Sequence, residues 1–283
     1  MSICYINGKY MPKIESKISI EDRGLNFSDG IYEVIRFKNK KLLNFKDQQS
    51  RLERSLNEIK ITFPFASKKS VKIIISNLLK INSYENGFVY LQITRGTATR
   101  NHLFPKFTKP NVILSLYPEP DISNLSQGVS IILTDDMRWK RCDIKSVSLL
   151  PNVLGKQFAY ENGCYESWQM DKEKYITEGT TSNAFIVSKT GKIKTHPLNN
   201  KILGGVTRNT LIRAAKLKKV PIVEKAFSLK DLLNGEEAFL TSTTVGVLPV
   251  TKINNKKIKS GKIGSQTKKL TKIYNEFLKN QLV

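Results

Sequence analysis

At 283 residues, with 40% hydrophobic content and 13 Phe, the chain can bury a large core, which excludes a disordered polypeptide. The length fits one large domain or two smaller ones, and no apolar run approaches the roughly 20 residues of a membrane-spanning helix. The net charge of +23 is mostly lysine spread along the chain. It forms no Arg-rich arm and no aromatic-interleaved platform for single strands, so a solvated surface is expected rather than a nucleic-acid partner. Such a field would still help draw in anionic substrates such as a dicarboxylic oxo-acid. The segment Met1–Gly8 lacks the basic-then-apolar build of a signal peptide. Three scattered cysteines suit neither a disulfide framework nor a zinc site, and read as free thiols of a cytoplasmic protein.

In chain order, Ile3–Ile6 and Lys9–Met11 around Asn7-Gly8 predict a hairpin with a type I′ turn. Ser28-Asp29-Gly30 is a turn, and Tyr32–Phe37 a strand with Tyr32, Val34 and Arg36 on one face. A helix is expected from Asp47, with Leu52, Leu56 and Ile59 on one stripe and Arg51 beside it. A second helix follows over Ser70–Ile81, then strands over Phe88–Thr94 and Asn111–Tyr117. Pro118-Glu119-Pro120 and the polar run to Gly128 mark a linker. The expected organisation is therefore a domain over 1–118, a linker over 119–128 and a second domain over 129–283. The second domain is expected to hold strands at Val129–Leu133, Tyr165–Met170, Asn183–Val187, Ile193–Thr195, Ala238–Thr241 and Val247–Ile253. Its helices are expected near Asn152–Asn162, Thr207–Leu217 and Gly264–Leu278. The mixture predicts two α/β (α+β) domains, and ligands favour such junctions.

Several residues could carry chemistry. Gly204-Gly205-Val206-Thr207 opens a helix, where free N–H groups can cup an anion, although a glycine turn that merely starts a helix reads the same way. Ser242 and Thr243, at a strand end, offer hydroxyls suited to phosphate or simply a turn. Glu178 sits in Thr177–Ser182, which reads as a turn between strands and so as a surface carboxylate. Among many lysines, Lys145 and Lys156 are both possible nucleophiles. Arg100-Asn101-His102 holds one of two histidines, in what could be a plain solvated loop. His196 reads as structural.

The runs SIEDRGLNFSDGIYEVIRF, YLQITRGTATRNHLFP, DMRWKRCDIKS, YITEGTTSNAFIV, ILGGVTRNTLI and FLTSTT span nearly the whole chain. They resemble the fold-type IV pyridoxal-phosphate aminotransferases, and within them the D-amino-acid aminotransferases. The resemblance implies that fold, with the active site at the domain junction, and pyridoxal 5'-phosphate as cofactor. It implies that Lys145 is the Schiff-base lysine, with Lys156 an ordinary helix-face residue, and that Glu178 pairs with the pyridine nitrogen. Arg51, Val206, Thr207, Ser242 and Thr243 would hold the phosphate, and Leu203 would pack on the ring. Tyr32, with Arg100 and His102 of the neighbouring subunit of a homodimer, would grip the substrate carboxylate. The implied reaction is ping-pong transamination of D-alanine or a similar D-amino acid with 2-oxoglutarate, giving pyruvate and D-glutamate, with no metal, membrane or nucleic acid involved. A branched-chain L-amino-acid aminotransferase or an aminodeoxychorismate lyase would share the lysine and the phosphate cup, but the Arg100/His102 run argues against both. A basic nucleic-acid-binding protein is the rival from another class. Gln48 stands where that family usually has His, and Pro151, Gly155 and Gly205 are further departures.

Overall fold

The computed structural model describes residues 2–281. The chain divides into two compact units, Met1–Pro120 with Ile144–Ser148, and Asp121–Asp143 with Leu149–Val283.

The first unit is a six-stranded sheet in the order β2-β1-β6-β5-β3-β4. Its strands are β1 (Ile3–Ile6), β2 (Lys9–Pro12), β3 (Gly30–Lys38), β4 (Lys41–Leu42), β5 (Gly87–Thr94) and β6 (Asn111–Pro118). Asn7 and Gly8 both take positive φ, the backbone that a type I′ hairpin demands. Along β3 the side chains alternate. Ile31, Glu33, Ile35 and Phe37 are buried, while Tyr32, Val34 and Arg36 are half-buried on the other face, as the period of two requires. Helix α1 is the short turn Arg23–Phe27, capped by Asp22. Helices α2 (Phe45–Glu58) and α3 (Lys68–Ile81) follow. Leu52 and Leu56 of α2 and Val71, Ile75, Leu78 and Leu79 of α3 close the core over Ile31, Ile35, Leu91 and Leu114.

The sequence places Lys145 in the second domain, but Ile144–Ser148 packs with the first unit. The reason is an open strand edge. Strand β4 pairs only with the Phe37–Lys38 end of β3, which leaves the outer edge near Gly30–Tyr32 free. The Lys145 segment fills it: Tyr32 N donates to Lys145 O at 3.0 Å, Val147 N donates to Gly30 O at 3.1 Å, and Ile31 bridges Ser146. Ile144 also enters the first core.

The second unit carries a nine-stranded sheet in the order β12-β11-β10-β13-β14-β7-β8-β9, with β15 on β14. The strands are β7 (Val129–Asp135), β8 (Glu166–Met170), β9 (Ile176–Gly179), β10 (Asn183–Val187), β11 (Ile193–Thr195), β12 (Ile222–Glu224), β13 (Glu237–Ser242), β14 (Gly246–Ile253) and β15 (Lys256–Lys257). The helices are α4 (Leu150–Glu161), α5 (Val206–Leu217), α6 (Leu229–Leu233) and α7 (Ser265–Lys279). Trp168, Ile176, Ile186, Phe227, Leu240 and Leu248 lie at the centre of its core. The expected strands and helices are present, with ends moved by a few residues. The exception is Thr177–Gly179, which belongs to strand β9 and is not a turn. Among the described residues no helix is long and apolar enough to cross a membrane.

Candidate active site

In the first unit the site is built on one face of β3 and β5. The Lys145 Nζ lies 4.0 Å from the centre of the Tyr32 ring. The Tyr32 ring lies 5.8 Å from that of Tyr90, and the Tyr90 hydroxyl donates to Gln92 Oε1 at 2.6 Å. Burial, then the neighbouring Tyr32, pushes the Tyr90 phenol up to about 12, so it stays a proton donor at ordinary pH. The backbone N–H of Lys145 is held by Ser55 Oγ of α2 at 3.2 Å. By contrast the Lys156 amine, the other candidate, donates to Tyr165 O and sits 4.0 Å from that ring. Burial pushes its pKa down.

Arg51, nearly two turns into α2, forms a forked pair with Glu33 of β3, with Nε to Oε1 at 2.7 Å and Nη2 to Oε2 at 2.8 Å. The Glu33 side chain is buried and that of Arg51 is 9% exposed. Gln48, one turn earlier, donates to Val34 O at 3.1 Å, so its amide ties α2 to β3.

Arg100 and His102 are exposed and flank one ring. The Arg100 guanidinium lies 5.0 Å and the His102 ring 5.3 Å from the centre of Phe27. Their loop is anchored from below by buried charge. Arg23 donates to Asn101 O and, at 2.8 Å, to Asp29. Arg95 forks onto the same carboxylate at 2.7 and 2.9 Å and lies under Phe104 at 3.6 Å. The run SIEDRG thus serves as the footing of the Arg100 loop.

In the second unit Glu178 points inward from β9 and is 4% exposed, against the surface carboxylate that a turn predicted. It accepts from Asn183 Nδ2 at 2.9 Å, from Leu203 N at 3.1 Å, and from Arg138. Arg138 is itself forked by Asp136, with Nε to Oδ1 at 2.9 Å and Nη2 to Oδ2 at 2.7 Å. Thr177 Oγ1 donates to that same carboxylate at 2.8 Å. Burial pushes Glu178 up to about 7, against the pull of Arg138 and the Leu203 amide. Burial would lower the Arg138 pKa, but the Glu178 and Asp136 carboxylates reverse this and hold the guanidinium charged. The negative charge of Glu178 therefore depends on Arg138 rather than on solvent.

A second buried carboxylate shapes the bend after Glu178. Glu166 of β8 is fully buried and accepts from Thr181 N and Oγ1 at 3.2 and 3.1 Å and from the Ser182 hydroxyl. That bend returns the chain to Asn183, whose amide bridges Glu178 and Leu203 O, the latter at 2.9 Å. Leu203 and Gly204 lead into α5, whose N-cap Gly205 offers no side-chain cap. A Cβ on Gly205 would lie 2.0 Å from Asn183 Oδ1, so only glycine permits this approach. Asn183 also pairs with Thr241 across β10 and β13, which carries Ser242 and Thr243 to the same end of the sheet. Glu178, Asn183, Leu203, the α5 N-terminus and the Ser242 turn thus form one constellation.

Gly155 and Pro151 also have a structural place. Gly155 is needed because a Cβ would meet Ser167 Oγ at 2.8 Å. Pro151 stands in the first turn of α4, where its missing N–H costs nothing.

The donor set fits pyridoxal phosphate. An uncapped helix N-terminus preceded by glycines, together with Ser and Thr hydroxyls, suits a phosphate. Thr241 Oγ1 is buried beside that end and has no hydrogen-bond partner among the described residues. A carboxylate fixed by Arg138 and Asn183 suits a protonated ring nitrogen.

Comparison with known proteins identifies the family. The Amino-transferase class IV model matches residues 30–253, and the chain belongs to that family. Among its relatives, a D-alanine aminotransferase of Staphylococcus haemolyticus is 37% identical over 99% of both chains. Another, of Bacillus licheniformis, is 41% identical over 96% of both. The fold is that of the branched-chain amino acid aminotransferases of Escherichia coli (TM-score 0.89, 20% identity, 98% of this chain and 94% of that one) and Thermoproteus uzoniensis (0.88, 21%, 99% and 95%).

Reading the sequence alone missed Arg138, Asp136, Asn183, Glu33 and Glu166. The first three lie inside the runs DMRWKRCDIKS and YITEGTTSNAFIV, so their membership of those runs was an available signal. Glu33, in the run with Tyr32, and Glu166 carry no local mark of their burial.

Proposed function

We propose that the protein transaminates D-alanine and related D-amino acids with 2-oxoglutarate, using pyridoxal phosphate. The observation that carries this reading is full-length likeness, at 37–41% identity, to proteins named D-alanine aminotransferase. The branched-chain enzymes of the same fold are only about half as similar in sequence. Amino acids and oxo-acids are the substrate class.

When bound, pyridoxal phosphate supplies an aldehyde for the amino group and a ring that takes up electrons from the substrate α-carbon. Lys145 is the amine that carries the cofactor at rest and, once free, the base that moves the α-proton. Its Nζ rests on the Tyr32 ring and makes no ion pair among the described residues. Glu178, fixed by Arg138, Asn183 and the Leu203 amide, keeps a proton on the ring nitrogen. The Val206 and Thr207 N–H groups, the Ser242 and Thr243 hydroxyls and Arg51 bind the phosphate, and Leu203 packs on the ring. Tyr32, with Arg100 and His102 of the neighbouring subunit, binds the substrate α-carboxylate, since a guanidinium with two further donors makes a strong carboxylate site. On this reading the working form is a cytoplasmic homodimer, because one chain alone lacks a complete carboxylate grip.

The test is the absorption spectrum of the purified protein with D-alanine, L-alanine and L-leucine added separately. A yellow band bleached by D-alanine alone is expected. Bleaching by L-leucine instead would overturn the D-amino-acid assignment, and a protein that stays colourless with added pyridoxal phosphate would remove the cofactor.

A further inference from the structure

Transamination leaves the +23 charge unexplained, and the second unit concentrates part of it in one place. A cleft of about 900 Å³ opens at the edge of the nine-stranded sheet, walled by the β10–β11 turn, the segments flanking β12, α6 and the start of α7. Seven lysines line it, against one carboxylate, Asp231. Lys189 and Lys192 stand on the turn, Lys219 and Lys225 on either side of β12, and Lys230 and Lys269 on the two helices. The seventh, Lys194, pairs with Asp231 at 3.5 Å, and Asp231 is also engaged by Ser228 N at 3.0 Å. The other six make no ion pair among the described residues. The first N–H groups of α7 are already taken by the Glu237 carboxylate, at 3.0 Å to Gln266 N and 2.7 Å to Thr267 N. The side chains alone therefore set the character of the cleft. Ile193 and Val220 add apolar lining, and among the described residues no aromatic one lines it.

We propose that this cleft binds a small anion carrying a chain of three or more phosphates. Six ammonium groups around one concavity repel each other and focus a positive potential that a multivalent anion relieves. Lysine binds phosphate as a mobile point charge, without the forked geometry that arginine offers carboxylates. The missing aromatic platform argues against stacked bases and so against single-stranded nucleic acid. The size matches a small-molecule pocket. The site is separate from the Glu178 constellation, so it does not rest on the transaminase reading.

The experiment is calorimetric titration of the full-length holoenzyme with sodium tripolyphosphate at low and physiological salt. Two charge-matched triple variants accompany it: Lys189→Gln/Lys192→Gln/Lys225→Gln in the cleft, and Lys252→Gln/Lys256→Gln/Lys257→Gln on the exposed β14–β15 hairpin. Saturable binding to one site is expected in the wild type, weakening with salt. The cleft variant should bind at least tenfold more weakly and the hairpin variant within twofold, with transaminase rates alike in all three. ATP separates the sources. An affinity near that of tripolyphosphate means that the phosphate chain alone is read, and a tenfold tighter one makes a nucleotide the natural ligand. Silence with tripolyphosphate, whether or not duplex DNA is retained, overturns the proposal. So does equal weakening in both variants, which would mean diffuse charge.

Discussion

Replacing Arg138 by Met removes the charge that Glu178 leans on while keeping much of the side chain's bulk. The Arg138 and Glu178 side chains are each 6% exposed and Asp136 is 12% exposed. The substitution therefore strands two carboxylates where water cannot compensate. Removing one partner of a buried pair costs about 3–5 kcal/mol, a loss of about 5–8 °C in Tm for a chain of this size. The pH dependence has a definite sign. Burial already holds Glu178 up at about 7 with the guanidinium present, and without it the carboxyl rises further. Asp136, which Arg138 and Thr177 hold below the usual range against its burial, rises too. In the unfolded chain both return to about 4. A native carboxyl raised above its unfolded value keeps its proton where the unfolded one has lost it. Its stability contribution is thus full at low pH and lost as pH rises through the native pKa. The Arg138→Met variant should lie closest to wild type at pH 5 and furthest from it at pH 8. Scanning calorimetry of the cofactor-free chain at both values measures this. An equal loss at pH 5 and pH 8 would refute the claim that Arg138 acts through the charge of Glu178.

Three further outcomes follow from the geometry. Lys145→Ala should abolish transamination and the yellow band yet shift Tm by little, because the amine forms no ion pair among the described residues; normal turnover would end the assignment. Gly205→Ala forces a methyl to within 2.0 Å of Asn183 Oδ1, which should cost about 1–3 kcal/mol and weaken pyridoxal-phosphate binding at least tenfold. Spectroscopic titration checks this, and unchanged affinity would detach Gly205 from the phosphate end. Glu33→Ala removes the forked partner of the Arg51 guanidinium, at a cost of about 1.5–3 kcal/mol. Inorganic phosphate or the cofactor should restore part of the lost Tm if Arg51 faces the phosphate, and no restoration counts against that role.

Much of the fold is legible locally. The β1–β2 hairpin follows from Asn7-Gly8, the α2 and α3 stripes from leucine and isoleucine spacing, and β3 from alternation. In each case the signal and the structure share the same few residues. Glu178 is different. A glycine- and threonine-rich run reads as a turn on propensity, but tertiary pairing overrides that preference: Trp168 opposes Gly179 and Met170 opposes Ile176 across β8 and β9. Its burial depends on Arg138, 40 residues away, and on Asn183 and Leu203, and no local window contains all of these.

The sequence by itself determined the family, the reactive lysine as a candidate and most of the helices and strands, because periodicity, turn chemistry and motif runs act over short distances. Only the tertiary structure decided that Lys145 completes the open edge of β3, that Arg51 is locked to Glu33, and that the charge of Glu178 is held by Arg138 and Asp136. Those are long-range pairings of buried polar groups. Their energies depend on which charges are brought together away from water, and the order of residues along the chain does not carry that information.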